Sequence, residues 1–266
     1  MHARSALIAL VASTSYAAAG CTTQVATLAL GDLGSCLQLT SLLPVISGSS
    51  NNSITSSLNT YLTSLCSSST PRCSNSTLSS AQSSVNSACQ SDYSAGGTDA
   101  LEIQGLVGLL GNYDEIYAAG CSKNTTTNDF CVTDALNTVQ NTTGQSITVS
   151  YISSILSGGG SGLSALESAL TSGSLCTGCV SGIYYEAKQA NASIGTSSFG
   201  QSLNKQCGAD FGTMAPNSTS NSTAGASSSS AASGSNSAGE MTIPYATFGL
   251  VGGMLSALAV GAATVL

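Results

Sequence analysis

The stretch Ser53–Cys89, SITSSLNTYLTSLCSSSTPRCSNSTLSSAQSSVNSAC, carries the fold in miniature. Ile54, Leu58, Tyr61, Leu62 and Leu65 recur at helical spacing and share one face, with Ser53 placed to cap the run. Cys66 closes it. Ser67 to Arg72, with Pro71, reads as a turn; Cys73 and Ser74 then open a second helix. Leu78, Ala81, Val85 and Ala88 line the buried side of that helix, and Cys89 ends it. The unit is helix, cysteine, turn, cysteine, helix.

The same order recurs further along. Cys66, Cys121 and Cys176 stand 55 residues apart, each ending an apolar helical run, and each is followed by a second cysteine, Cys73, Cys131 or Cys179, that opens a helix. A threefold repeat is one reading. Coincidence is the other, because the intervening sequences align poorly and the interval exceeds that of the usual solenoid repeats. Turn-closing bridges Cys66–Cys73 and Cys121–Cys131 are the first expectation, since cysteines close in sequence across a turn reach bonding distance without distant elements being placed. Cys176–Cys179 is a weaker expectation, because both can also reach outward to Cys21, Cys36, Cys89 or Cys207.

The remaining segments follow the helical pattern. Thr22 to Leu43 predicts one or two short helices on Val25, Leu28, Leu30, Leu33, Leu37, Leu39 and Leu42, ended by Pro44. Ser91 to Thr98 reads as a loop. Asp99 is placed to cap a longer apolar run through Leu101, Ile103, Leu106, Val107, Leu109 and Leu110, weakened by Gly105, Gly108 and Gly111 at about 1 kcal/mol each. Tyr113, Ile116 and Tyr117 lead to Cys121, and Leu136 and Val139 mark a helix after Cys131. Ile147 to Leu156 is ambiguous: its first half alternates like a strand, but no strand partner is in sight, so a helix is favoured. Ser161 is placed to cap a helix on Leu163, Leu166 and Leu170. Cys176-Thr177-Gly178-Cys179 begins another on Ile183, Tyr184, Ala187 and Ala190, and Phe199, Leu203 and Cys207 mark the last. The expected fold is therefore all-α, a disulfide-stapled bundle of short antiparallel helices over residues 20–212.

Both ends read as processing signals. Residues 1–19 have a weakly basic start, an apolar stretch from Ala6 to Ala12, and Ala17-Ala18-Ala19 before Gly20, the layout of a cleaved signal peptide. Residues 213–238 are small and polar and read as a Ser/Thr/Asn-rich stalk. Residues 239–266 comprise a short spacer and the apolar tail Tyr245–Leu266, which contains no Asp, Glu, Lys, Arg, His, Asn or Gln. Small residues, spacer and apolar tail in that order resemble a glycosylphosphatidylinositol (GPI) attachment signal, with Asn236 as a candidate attachment residue.

Composition fits that reading. Mean hydropathy is +0.25, much of it from the two terminal segments. The net charge is −7, which argues against nucleic-acid binding. Ten cysteines, Cys21, Cys36, Cys66, Cys73, Cys89, Cys121, Cys131, Cys176, Cys179 and Cys207, predict five bridges in a secreted chain. Sequons at Asn51, Asn75, Asn124, Asn141, Asn191, Asn217 and Asn221 predict N-glycosylation on the surface.

Catalytic chemistry is hard to assemble from what remains. The single histidine is His2, inside the signal peptide, which removes His-based nucleophile arrangements and His-based metal sites from the mature chain. No nucleophile elbow, phosphate loop or dinucleotide fingerprint is present. Asp114 with Glu115, or Asp99 with Glu102, would be the carboxylate pairs of a glycoside hydrolase, but they read better as helix-surface and N-terminal charges. Cys176-x-x-Cys179 lacks the preceding strand of a thioredoxin-type site, so structural bridges are expected there.

The cysteine contexts YLTSLC…PRCSNSTL, FCVTDAL, LCTGC and KQCGADF, with the stalk and tail, resemble a family of fungal, mainly basidiomycete, Cys-rich GPI-anchored surface proteins catalogued only as a domain of unknown function. The resemblance covers about Cys21 to Phe211 and implies no activity. The expected role is a non-catalytic, GPI-anchored glycoprotein of the cell surface or wall. It would reach the outer face of the plasma membrane or the cell wall through the secretory pathway, without cofactor or metal. Its partners would be the membrane through its anchor and, beyond that, wall polysaccharide or a lipid. The alternative is a lipid- or sterol-binding helical module lined by Leu106, Leu109, Leu110, Tyr113 and Tyr117.

Overall fold

A computed structural model describes residues 19–46, 52–95, 97–156 and 160–215. The described residues form fourteen helices. In chain order these are α1 (Ala19–Leu30), α2 (Asp32–Cys36), α3 (Leu39–Ile46), α4 (Thr55–Leu65), α5 (Asn75–Ala88), α6 (Gln90–Ala95) and α7 (Gly97–Gly111). Then follow α8 (Tyr113–Cys121), α9 (Cys131–Thr143), α10 (Val149–Leu156), α11 (Gly160–Thr171), α12 (Gly178–Ala190), α13 (Ser193–Thr196) and α14 (Ser198–Cys207). Among the described residues there is no strand, only a single antiparallel bridge between Lys123 and Phe130.

Local chemistry explains most boundaries. The Ser74, Thr177 and Ser197 side chains accept the N–H groups of Thr77, Val180 and Gly200, capping α5, α12 and α14. Gly144, at φ +67°, ends α9 in the left-handed conformation that glycine adopts without penalty. Other expectations shift. Ile54, not Ser53, stands at the N-cap of α4, and the Ser53 hydroxyl instead accepts from Thr55 N–H at 3.4 Å. Pro44 lies inside α3, whose neighbours Leu42 and Val45 are buried; the helix runs only two residues past the ring. The Ser91–Thr98 loop contains a helix of its own, α6, and α7 and α11 begin at Gly97 and Gly160, ahead of Asp99 and Ser161. In the ambiguous segment, Ile147 precedes α10 and its carbonyl accepts the Ile54 N–H at 2.8 Å, and the helix claims everything from Val149 on, as favoured.

The helices enclose two apolar clusters. The first is built by α1, α2, α5 and α7 around Leu33, Leu78, Ala81, Val85, Ile103 and Leu110. The second is larger and spans α3, α4 and α9 to α14, with Leu58, Ile147, Tyr184, Ile194 and Leu203 almost completely buried. Tyr117 of α8 packs against both.

All ten cysteines are bridged, and none closes its own turn. The pairs are Cys21–Cys89, Cys36–Cys73, Cys66–Cys121, Cys131–Cys179 and Cys176–Cys207, with Cα separations of 4.6 to 5.5 Å. The expected Cys66–Cys73, Cys121–Cys131 and Cys176–Cys179 pairs are therefore corrected, and with them the repeated stapled unit. One of the two 55-residue intervals separates bonded cysteines, Cys66 and Cys121, whereas Cys121 and Cys176 are not bonded to each other. The Cys66–Cys73 turn holds its shape by hydrogen bonds: Thr70 Oγ1 donates to Ser64 O at 2.8 Å, and the Ser67 and Ser69 hydroxyls meet at 2.8 Å. The closed loops span 31 to 68 residues. In the chain-entropy model each such bridge, taken alone, is worth about 4 kcal/mol, more than a turn-closing bridge would supply.

Candidate functional site

The densest meeting of charged and aromatic groups lies at the N-terminal end of α8, where the two clusters adjoin. Tyr113 and Tyr117 are one helical turn apart, so their rings meet along the same face, tilted by 44° with centroids 5.7 Å apart. Tyr113 is buried, and its hydroxyl accepts the Cys73 N–H at 3.2 Å. Cys73 is itself held by its bridge to Cys36, which fixes the preceding residue, Arg72, over the pair. The Arg72 guanidinium carbon is 4.4 Å from the Tyr117 centroid and 5.8 Å from that of Tyr113. Burial pushes the Tyr117 hydroxyl up, Tyr113 adds to the shift, and Arg72 opposes it. Tyr61, buried on α4, is raised further by burial and by Tyr113, and donates to Leu37 O at 3.0 Å.

Two other cations are used in the same way. Lys123 Nζ is 4.8 Å from the Phe130 centroid, and Lys188 Nζ is 4.7 Å from that of Tyr184. Both cover the open face of a ring whose other side belongs to the core.

Asp114 and Glu115 do not act as a pair. Being adjacent on a helix, they point about 100° apart. Asp114 accepts from Arg72 Nη2 at 2.6 Å, with both side chains more than half exposed. Glu115 instead acts electrostatically on Glu186 of α12, a helix packed closely on α8. Burial raises the Glu186 carboxyl, and the neighbouring Glu115 raises it further. The Glu115–Glu186 relationship was invisible in sequence because nothing local signals that α8 lies against α12, 71 positions away. The Asp99 and Glu102 side chains lie outside the described residues. Among the described residues no three His, Cys, Asp or Glu side chains converge as a metal site.

The residues considered for a lipid-binding role lie within the helix packing. Leu110 and Tyr113 belong to the first cluster, and Leu106, Leu109 and Tyr117 pack partly buried against it.

Four sequons fall on described residues, and none of their asparagines is buried. Asn75 is the first residue of α5, Asn141 lies in the last turn of α9, and both are exposed. Asn191 follows α12, its oxygen accepting from Ser193 N–H at 3.0 Å and from the Ser193 hydroxyl at 2.7 Å. Asn124 is the most engaged: its oxygen accepts from Thr126 N–H at 2.9 Å while its Nδ2 donates to Asp134 at 3.1 Å. Asn51, Asn217, Asn221 and Asn236 lie outside the described residues. So do residues 1–18 and 216–266, with the signal-peptide and tail expectations; no described helix is long and apolar enough to cross a membrane.

Five non-local disulfides on an all-α scaffold define a stapled helical domain of the kind found in extracellular or secretory-pathway proteins. The chain belongs to the family described as a domain of unknown function, DUF7729, whose model matches residues 8–216. No curated protein and no solved structure is detectably similar to it.

Proposed function

We propose that this protein is a non-catalytic, GPI-anchored glycoprotein of the fungal cell surface or wall. The observation that carries the reading is the pairing of all ten cysteines between distant helices. Such a scaffold resists unfolding outside the cell without a large core. The exposed Asn75 and Asn141 and the accessible Asn124 and Asn191 support a glycan coat. The apolar stretch Ala6–Ala12 and the tail Tyr245–Leu266 supply entry to the secretory pathway and a lipid anchor, with Asn236 among the candidate attachment residues. On this reading the membrane is the first partner, and wall polysaccharide meets the hydroxyl-rich, glycan-bearing surface. Arg72 and Asp114 hold the surface of α8 in place and Glu115 and Glu186 tune its pH response; none is assigned to catalysis.

The test is release from intact cells by phosphatidylinositol-specific phospholipase C, followed by mass spectrometry of the released chain. Release without residues 245–266 is expected. A cell-bound chain that keeps the tail and resists the enzyme would refute the anchor.

A further inference from the structure

Cys176-Thr177-Gly178-Cys179 has the spacing at which two cysteines can bond to each other across the start of a helix, yet each is bonded elsewhere. Cys176 holds Cys207, and Cys179 holds Cys131. The two bridges differ in access. Cys131 and Cys179 are both buried, whereas Cys176 and Cys207 are only partly buried. They also differ in where they meet helix ends. Cys207 is the last residue of α14, where a thiolate is disfavoured. Cys176 lies just before α12, and Cys131 is the first residue of α9, two thirteen-residue helices whose N-terminal N–H groups favour a thiolate. Asp134 stands in the same first turn of α9, but its carboxylate is engaged by Asn124 Nδ2 at 3.1 Å.

We infer that the Cys176–Cys179 motif is a thiol–disulfide exchange site, opened by a small external thiolate attacking Cys207. The attacking sulfur forms a mixed disulfide with Cys207 Sγ, and the electron pair of the broken bond leaves on Cys176 Sγ, the better leaving group. The Cys176 thiolate, three residues from Cys179, then attacks Cys179 Sγ. The Cys176–Cys179 bond forms, the Cys131–Cys179 bond breaks, and the electron pair leaves on Cys131 Sγ. Two disulfides and one thiolate are present before and after, so no oxidant or reductant is consumed. The structural result is large. Both long-range ties of α12 are exchanged for one local loop, and α9 and α14 lose their covalent hold on it.

Native protein treated with reduced glutathione near neutral pH, acid-quenched, blocked with N-ethylmaleimide and digested with pepsin reports the outcome directly. Expected are glutathione on Cys207, maleimide on Cys131 and an internal Cys176–Cys179 bridge. Maleimide on Cys176 with Cys131–Cys179 intact would overturn the exchange step. Glutathione entering at Cys66 or Cys121 while Cys176–Cys207 stays closed would overturn the opening step. Cys207→Ser gives a second reading without any external thiol: the free thiol is expected at Cys131, and a free thiol that remains at Cys176 overturns the inference.

Discussion

The Arg72 guanidinium carbon rests 4.4 Å from the centroid of the Tyr117 ring while its Nη2 holds Asp114 Oδ1 at 2.6 Å. One side chain thus seals an aromatic face and neutralises a helix-start carboxylate. The exposed ion pair is worth roughly 0–1 kcal/mol and the ring contact about 0.5–1 kcal/mol. Arg72→Ala is therefore expected to lower stability by about 1 kcal/mol in urea unfolding, and Asp114→Asn by clearly less. Equal losses in the two variants would mean that the ion pair, not the ring, dominates.

Loss of the Cys36–Cys73 bridge should be felt in the first cluster. It ties α2 to the start of α5 and thereby fixes the Cys73 N–H on the Tyr113 hydroxyl. The double variant Cys36→Ala, Cys73→Ala is expected to lose roughly 2–5 kcal/mol. Hydrogen exchange should accelerate in α1, α2 and α5 before α9 and α12. Uniform acceleration throughout would contradict the division into two clusters.

Tyr184 sits between two glycines that admit no side chain. A Cβ on Gly212, at φ +72°, would overlap the ring at Cδ1; one on Gly200 would overlap Ile194 O and come within 2.7 Å of the Tyr184 hydroxyl. Gly212→Ala and Gly200→Ala are each expected to destabilise by about 2–3 kcal/mol, read as a lowered urea midpoint. A midpoint unchanged from native would show that the ring can move aside. Gly108→Ala, where a Cβ meets nothing within 4 Å, is the control and should be neutral or stabilising.

The raised Glu186 carboxyl makes stability depend on pH in a defined direction. The folded chain binds the Glu186 proton more tightly than the unfolded chain does. That contribution is complete below the ordinary glutamate value of 4.5 and is lost as pH rises through the higher folded value. Glu186→Gln removes the cost of ionisation, so its Tm should exceed the native Tm at neutral pH and converge on it in acid. A Tm difference that stays constant from about pH 4 to about pH 7 would show that the Glu186 carboxyl is not raised in the folded chain.

Helices were legible in the sequence because each needs only local information. Leu58, Tyr61, Leu62 and Leu65 declare a face by spacing, whereas the exact caps were not legible: Ser53, Asp99 and Ser161 were expected, and Ser74, Thr177 and Ser197 are the side chains that cap. The short helix α6 was not, since QSDYSA has little apolar content and gains its place by following α5 at Cys89. Bridge partners were illegible for a different reason. Cys66 meets Cys121 only because α4 packs beside α8, a tertiary fact with no trace in spacing. The seam carried the same limit: Tyr113 and Tyr117 were readable as a helical pair, but Arg72 above them and Glu186 beside Glu115 were not.

The bridge network also decides how far the molecule can stretch under load. From Cys21 to Cys207 the polypeptide runs 186 residues, but a shorter covalent route exists. It advances 15 residues to Cys36, crosses to Cys73, returns 7 residues to Cys66, crosses to Cys121, advances 10 residues to Cys131, crosses to Cys179, steps back 3 residues to Cys176 and crosses to Cys207. A force applied at the two ends can pay out only those 35 residues, about 120 Å of extended chain rather than more than about 600 Å. Tension would be borne by α1 and α2, the Cys66–Cys73 turn and the Cys121–Cys131 loop, while α4, α7 and most of the second cluster stay slack, so shear would lengthen this domain slightly and leave it able to recoil.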